Sequence, residues 1–271
     1  MLEKQFNTRF KPTWCPGCGN FGIWLTLKKS FVQLKWQPGD FGMVYDIGCS
    51  GNMSDFLQVK GSFHSLHGRA IPTAVGMRLA DPHKPVVVVV GDGGAYGEGG
   101  NHLLSACRGN FDLTVLVHDN RVYGLTTGQA TPTSPQGYQS KSTPDGLIET
   151  PLEPLALAIS QGASFVAQAF AGDPIQLNEV IVSGIKHPGF SLINILQPCV
   201  TFNPVNTYDY YRERVYKIDR SFADKKSALN EIMDNPKIPT GVIYCHPRPT
   251  YESQLPPKKA FDFQDLLEEF K

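Results

Sequence analysis

Five valines in a row, Val86 to Val90, run directly into Gly91-Asp92-Gly93-Gly94. No other stretch narrows the fold as much. β-Branched side chains are stiff at χ1 and pack well on a pleated surface. A strand apolar at every position has a layer on both faces, the condition of an inner strand in a parallel sheet covered by helices. The run is far too short to cross a bilayer. Glycines at the carboxyl end of such a strand lie where parallel sheets bind ligands. The stretch 84–94 therefore predicts a central parallel strand feeding a ligand loop.

The remaining chain alternates in the same sense. Helices are predicted after Cys18 (Ile23, Leu27, Phe31 and Leu34 share one face), at 68–80, 100–110, 151–162 and 173–187. Strands are predicted at 41–48, 111–120, near Phe165, at 189–199 and finally around Tyr244. Strands alternating with helices imply an α/β fold with a doubly wound, mostly parallel sheet. The segment 121–150 is rich in glycine, proline, serine and threonine without periodicity, which marks a functional loop. With no repeat or linker, the 271 residues read as one domain with an N-terminal loop at 11–20 and a C-terminal extension from about 205.

Charge excludes one class of partner. Lysine plus arginine number 25 and aspartate plus glutamate number 25, so the positive field that nucleic acid requires is missing. The start "MLEKQFNTRF" has no signal-peptide layout, and no membrane partner is expected. A cytoplasmic location follows as the expectation, and there six cysteines point to metal, catalytic or packing roles rather than disulfides.

The glycine loop lacks the third glycine of a dinucleotide fingerprint, because Tyr96 stands there, and it lacks the Gly-Lys-Ser/Thr of a P-loop. What remains is Asp92 after one strand and Asn120 after the next, 28 positions later. A carboxylate and an amide oxygen at one sheet edge suit Mg²⁺, which takes oxygen ligands and shares them with phosphates. That arrangement resembles the pattern of thiamine-diphosphate enzymes.

Cysteines need a separate reading. Cys15 and Cys18 in "WCPGCGN" fit a zinc knuckle, a redox dithiol, half of an iron–sulfur ligand set or an ordinary loop. Cys49 and Cys199 each end a predicted strand, and so does their rival Cys245. Cys107 falls within a helix and reads as packing.

Taken together, "WCPGCGN", "DIGCSGNMS" and "GDGGAYGEGGNHLLSACRGN…HDNRVYGLTTGQATPTS" resemble the β subunits of 2-oxoacid:ferredoxin oxidoreductases, the pyruvate and 2-oxoglutarate enzymes, over roughly residues 10 to 205. The resemblance implies a thiamine-diphosphate-binding subunit active in CoA-dependent oxidative decarboxylation. It implies cofactor contacts from Cys49, Ser50, His67, Gly91, Asp92, Gly93, Gly94, Asn120, Val122, Gly124, Leu125 and Thr126. Mg²⁺ would be held by Asp92, Asn120 and the backbone carbonyl of Val122. Cys15, Cys18, Cys49 and Cys199 would bind one 4Fe-4S cluster, and Asn52, Leu125 and Thr127 would border the substrate. Gly94 departs from the family, whose members often carry aspartate at that position.

The implied partners are an alpha subunit, with gamma and delta subunits as further candidates, together with ferredoxin, CoA and a 2-oxoacid. Thiamine catalysis also needs a glutamate on a second α/β domain, for which the chain has no room; that glutamate is expected on the partner. Two other readings compete. A non-oxidative thiamine-diphosphate decarboxylase or synthase would have no use for four cluster cysteines. A zinc-stabilised binding module would leave Asp92 and Asn120 unexplained.

Overall fold

The valine run forms β3 (Val86–Gly91), inside a sheet whose other strands are β1 (Gly42–Tyr45), β2 (Gly61–His64), β4 (Thr114–Asp119), β7 (Phe165–Phe170), β8 (Ser191–Leu196), β9 (Val215–Lys217) and β10 (Ile238–Cys245). The structure is a computed structural model that describes residues 2–256 and 267–268. The eight strands are ordered β2-β1-β3-β4-β8-β7-β10-β9. β2 through β7 run parallel in that order, and β10 pairs antiparallel with β7.

Both faces of β3 are buried, each by a different layer. Val87 and Val89 pack with Ile23, Leu27 and Phe31 of α1 (Gly19–Gln33) and Leu177 and Ile181 of α5 (Pro174–Lys186). Val86, Val88 and Val90 pack with α2 (Ala70–Ala80), α3 (Gly100–Gly109), α4 (Pro154–Ser160) and Ala228 of α7 (Lys225–Met233). Each valine removed from water contributes on the order of 1.5 kcal/mol. A polar residue on either face would leave one of these cores with an unpaired group.

Three strands of the sheet differ from the sequence reading, and of these β9 simply lacks any announcing pattern. β2 has no apolar run to announce it: it is a four-residue edge strand with Phe63 and His64 exposed. β10 was expected as a strand, but its direction is invisible in the sequence. Being antiparallel, it ends with Cys245 opposite Phe165, the first residue of β7, at the edge away from the carboxyl ends of the parallel strands. The segment 121–150 holds one small hairpin, β5 (Val122–Tyr123) with β6 (Gln129–Ala130). Beyond 205, α6 (Tyr208–Arg214), α7, β9 and β10 add to the same sheet and its faces. The end of the expected C-terminal extension, 257–266 and 269–271, lies outside the described residues.

Candidate active site

The carboxyl ends of β1, β3, β4 and β8 meet at one edge and enclose two adjoining recesses. The first is an open cleft of about 510 Å³. Every residue expected at the cofactor lines it: the 49–50 turn, His67, the loop 91–94, Asn120, Val122 and the stretch 124–126. Of the expected substrate residues, Leu125 lines both recesses and Asn52 only the second. Thr127 lines neither; it is exposed and sits in the left-handed region at φ 77.

Glycines shape the cleft by what they leave out. Asp92 caps a π-helical turn, Gly93–Glu98, that leads into α3. Free N–H groups at such a helical start favour an anion. A Cβ on Gly93 would enter the ring of Tyr123, and one on Gly94 would collide with Asp46 Oδ2. The Tyr123 hydroxyl donates to Glu98 Oε1 at 3.0 Å, pinning the ring over the turn. The Asp46 carboxylate therefore occupies the place of any side chain at position 94. That carboxylate accepts from Gly68 N–H at 2.9 Å and stands 3.6 Å from His67 Nδ1. Burial raises the Asp46 pKa, while the Ile47 and Gly68 N–H groups and His67 oppose the rise. The carboxylate ties the His67 loop to the glycine loop.

Beneath the cleft lies a polar chain. Thr133 Oγ1 is 2.8 Å from Asp92 Oδ2 and 2.9 Å from Asp119 Oδ1. Asp119 Oδ2 accepts from Asn194 Nδ2 at 3.1 Å. Burial, and then the neighbouring Asp119, push Asp92 up to about 7. A divalent cation would relieve both effects, since it favours the ionised carboxylate. Asn120 Oδ1 accepts from Val122 N–H at 3.0 Å, which holds 120–122 in a tight turn beside Asp92 in the cleft. The donor set of carboxylate, amide and backbone oxygen fits Mg²⁺.

The second recess, roughly 660 Å³, is lined by Cys15, Cys18, Cys49 and Cys199. A Cβ on Gly124 would lie 3.6 Å from Cys49 Sγ and 3.7 Å from Cys199 Sγ, so both thiols stand within ordinary contact distance of that position. Burial raises Cys18 to about 12, and its three companions add to the rise; burial, then Cys199 and Cys15, raise Cys49 to about 11. A positively charged centre would relieve the burial cost of ionising Cys18 and Cys49. Among the described residues no group of three or more histidine, cysteine or carboxylate side chains is placed to hold a metal ion. Tetrahedral zinc would draw four sulfurs to about 2.3 Å from one point. A four-iron cluster takes one cysteine thiolate per iron.

Cys107 is fully buried in α3. Cys245 lies at the far edge, 3.9 Å from His187 Nδ1. His118 is a buried strand residue, held at about 3 by desolvation, whose ring also reaches the cleft. Two residues at the site escaped the sequence reading, Asp46 and Thr133, while Tyr123 opens the 123–129 stretch expected to border the cofactor. Asp46 stood in the quoted "DIGC" at a strand end, and Thr133 in "TPTS" within the functional loop, so position was available as a signal. Their partners were not.

The sheet, the glycine loop and the oxygen donors at its carboxyl edge define a thiamine-diphosphate-binding enzyme domain. Residues 46–195 match the thiamine pyrophosphate enzyme C-terminal TPP-binding domain, and residues 199–260 match the C-terminal region of pyruvate ferredoxin oxidoreductase beta subunits. The 2-oxoacid:ferredoxin oxidoreductase subunit beta of Saccharolobus solfataricus is 42% identical over 258 residues, 89% of this chain and 85% of that protein. The 2-oxoglutarate synthase subunit KorB of Methanocaldococcus jannaschii is 34% identical over 94% of this chain and 95% of its own length. A 2-oxoglutarate:ferredoxin oxidoreductase from Magnetococcus marinus, solved with 2-oxoglutarate, coenzyme A and succinyl-CoA bound, superposes with a TM-score of 0.93 at 36% identity, covering 100% of this chain and 96% of that one. The chain belongs to the family of 2-oxoacid:ferredoxin oxidoreductase β subunits. It is one part of a multi-subunit enzyme. Among the described residues no helix is long and apolar enough to cross a membrane.

Proposed function

We propose that this subunit holds the diphosphate end of thiamine diphosphate through Mg²⁺ in the first recess and one 4Fe-4S cluster in the second. The observation that carries the reading is their shared wall: Cys49, Asn120, Gly124 and Leu125 line both. Electrons leaving the cofactor would have a short path to an acceptor. When bound, the cofactor supplies the carbanion chemistry that releases CO₂ from a 2-oxoacid, pyruvate or 2-oxoglutarate, and the cluster carries single electrons onward to ferredoxin.

The chain's own residues do the positioning. Asp92, Asn120 and the Val122 carbonyl hold the cation, and the N–H groups after Asp92 face the diphosphate. His67, tied to Asp46, faces the same cleft. Tyr123 closes over the glycine turn, while Leu125 and Thr126 present a mixed wall toward the reacting end. Asn52, beside the cysteines, offers no charge to a distal carboxylate. By analogy with the Magnetococcus enzyme, CoA takes the acyl group. The described residues form a single sheet-centred unit, which supports a partner alpha subunit carrying the pyrimidine-facing domain and its glutamate. A cytoplasmic setting suits an oxygen-sensitive cluster.

The test is anaerobic purification of the subunit with and without its partner. The complex should show broad visible absorption, stoichiometric iron and 2-oxoacid-dependent reduction of a one-electron dye. The isolated chain should not turn over. A colourless protein with stoichiometric zinc overturns the cluster, and full turnover by the isolated chain overturns the divided site.

A further inference from the structure

The cysteine recess is not lined by thiols alone. Two buried amides stand in its wall, Asn20 at the start of α1 and Gln197 just after β8. Gln197 Nε2 donates to Cys18 Sγ at 3.4 Å and to Pro198 O at 2.9 Å. Room for that amide comes from Gly19, where a Cβ would lie 2.8 Å from Gln197 Cγ and 3.2 Å from its Nε2.

The Asn20 side chain adds a second kind of observation. Its Oδ1 lies 2.7 Å from His118 Nδ1. A carbonyl oxygen only accepts, so His118 donates from Nδ1, and the Asn20 amide group is turned away from the ring. Its Nδ2 is buried without a hydrogen-bond partner, although buried amide donors are almost always paired. Asn20 lines the recess together with the four cysteines.

We propose that Asn20 and Gln197 are hydrogen-bond donors to the cysteine-bound centre at its Cys18 corner, and that they raise its reduction potential, with His118 fixing the direction of the Asn20 amide. The inference rests on the reading that the four cysteines hold an iron–sulfur cluster. Its physical basis is that donors to cluster sulfurs stabilise the more negative, reduced state. Both are positioning and tuning residues; neither ligates iron.

The test uses the assembled enzyme purified without oxygen, with the variants Gln197→Met and Asn20→Leu, which keep side-chain size and delete the donors. Iron content should stay at the wild-type level. In a redox titration followed by electron paramagnetic resonance, each variant should show the reduced-to-oxidised ratio at a fixed potential falling by about fivefold; a tenfold fall would equal 59 mV for one electron. Gln197→Glu, isosteric and anionic, should fall further and serves if an apolar variant does not fold. Wild-type iron with unmoved potentials in these variants overturns this inference alone. Absence of a cluster from the wild type overturns the underlying reading and this inference with it.

Discussion

The two recesses share a wall but are built in opposite ways. The cofactor cleft comes mostly from two neighbouring segments, the glycine loop after β3 and the turn after β4, with the 47–50 turn and His67 closing its side. Its shape depends on missing side chains at Gly93 and Gly94. The cysteine recess gathers the loop before α1, the turn after β1 and the segment after β8. Nothing local relates those pieces; strand order and direction bring them together. A site shaped by missing side chains is sensitive to the smallest added atom, whereas one gathered from distant cysteines is sensitive to which ligand stands where.

The largest expected effect tests the topological half. Cys199→Ser should abolish most iron binding by the assembled enzyme, while Cys245→Ser should leave it unchanged, because the antiparallel β10 puts Cys245 at the other edge. Metal analysis on anaerobic protein reads both. Iron retained in Cys199→Ser and lost in Cys245→Ser would reverse the assignment. A smaller but still large effect tests the other half. Asp92→Ala removes the charged cation ligand, so thiamine diphosphate affinity in the presence of Mg²⁺ should fall at least tenfold by calorimetry. Iron content should not change, which would separate the recesses. Unaltered affinity would reduce the Gly-Asp-Gly-Gly segment to a plain turn.

The unequal legibility of the two recesses has the same origin. Val86–Val90 announced a two-faced strand, and residue identity alone placed Asp92 and Asn120 at one edge, because parallel strands share their carboxyl ends. Cys199 and Cys245 looked equivalent because sequence periodicity carries no direction: a strand reads the same whether it runs up or down. β2 was missed because a four-residue edge strand with exposed Phe63 needs no hydrophobic pattern. Asp46 and Thr133 were missed for another reason. Their roles lie in contacts made across 48 and 41 positions of chain, to Gly94 and Asp92, and no local spacing encodes such a meeting.

The finest test concerns how the cleft manages without a side chain at position 94. The Asp46 carboxylate lies where a Cβ on Gly94 would go, and it also holds Gly68 N–H and faces His67. Gly94→Ala should therefore push a buried carboxylate out of its hydrogen bonds, lowering stability by about 1–3 kcal/mol as overpacking does and weakening cofactor binding. Asp46→Ala should lose stability too, by freeing the 67–68 loop. If the two residues compete for one volume, the double variant should be more stable than the sum of the single losses, because removing the carboxylate makes room for the methyl. Thermal denaturation of the four proteins gives the coupling. Strict additivity would mean that the loop relaxes around residue 94 independently of Asp46, so that glycine is required there by the backbone rather than by the carboxylate beneath it.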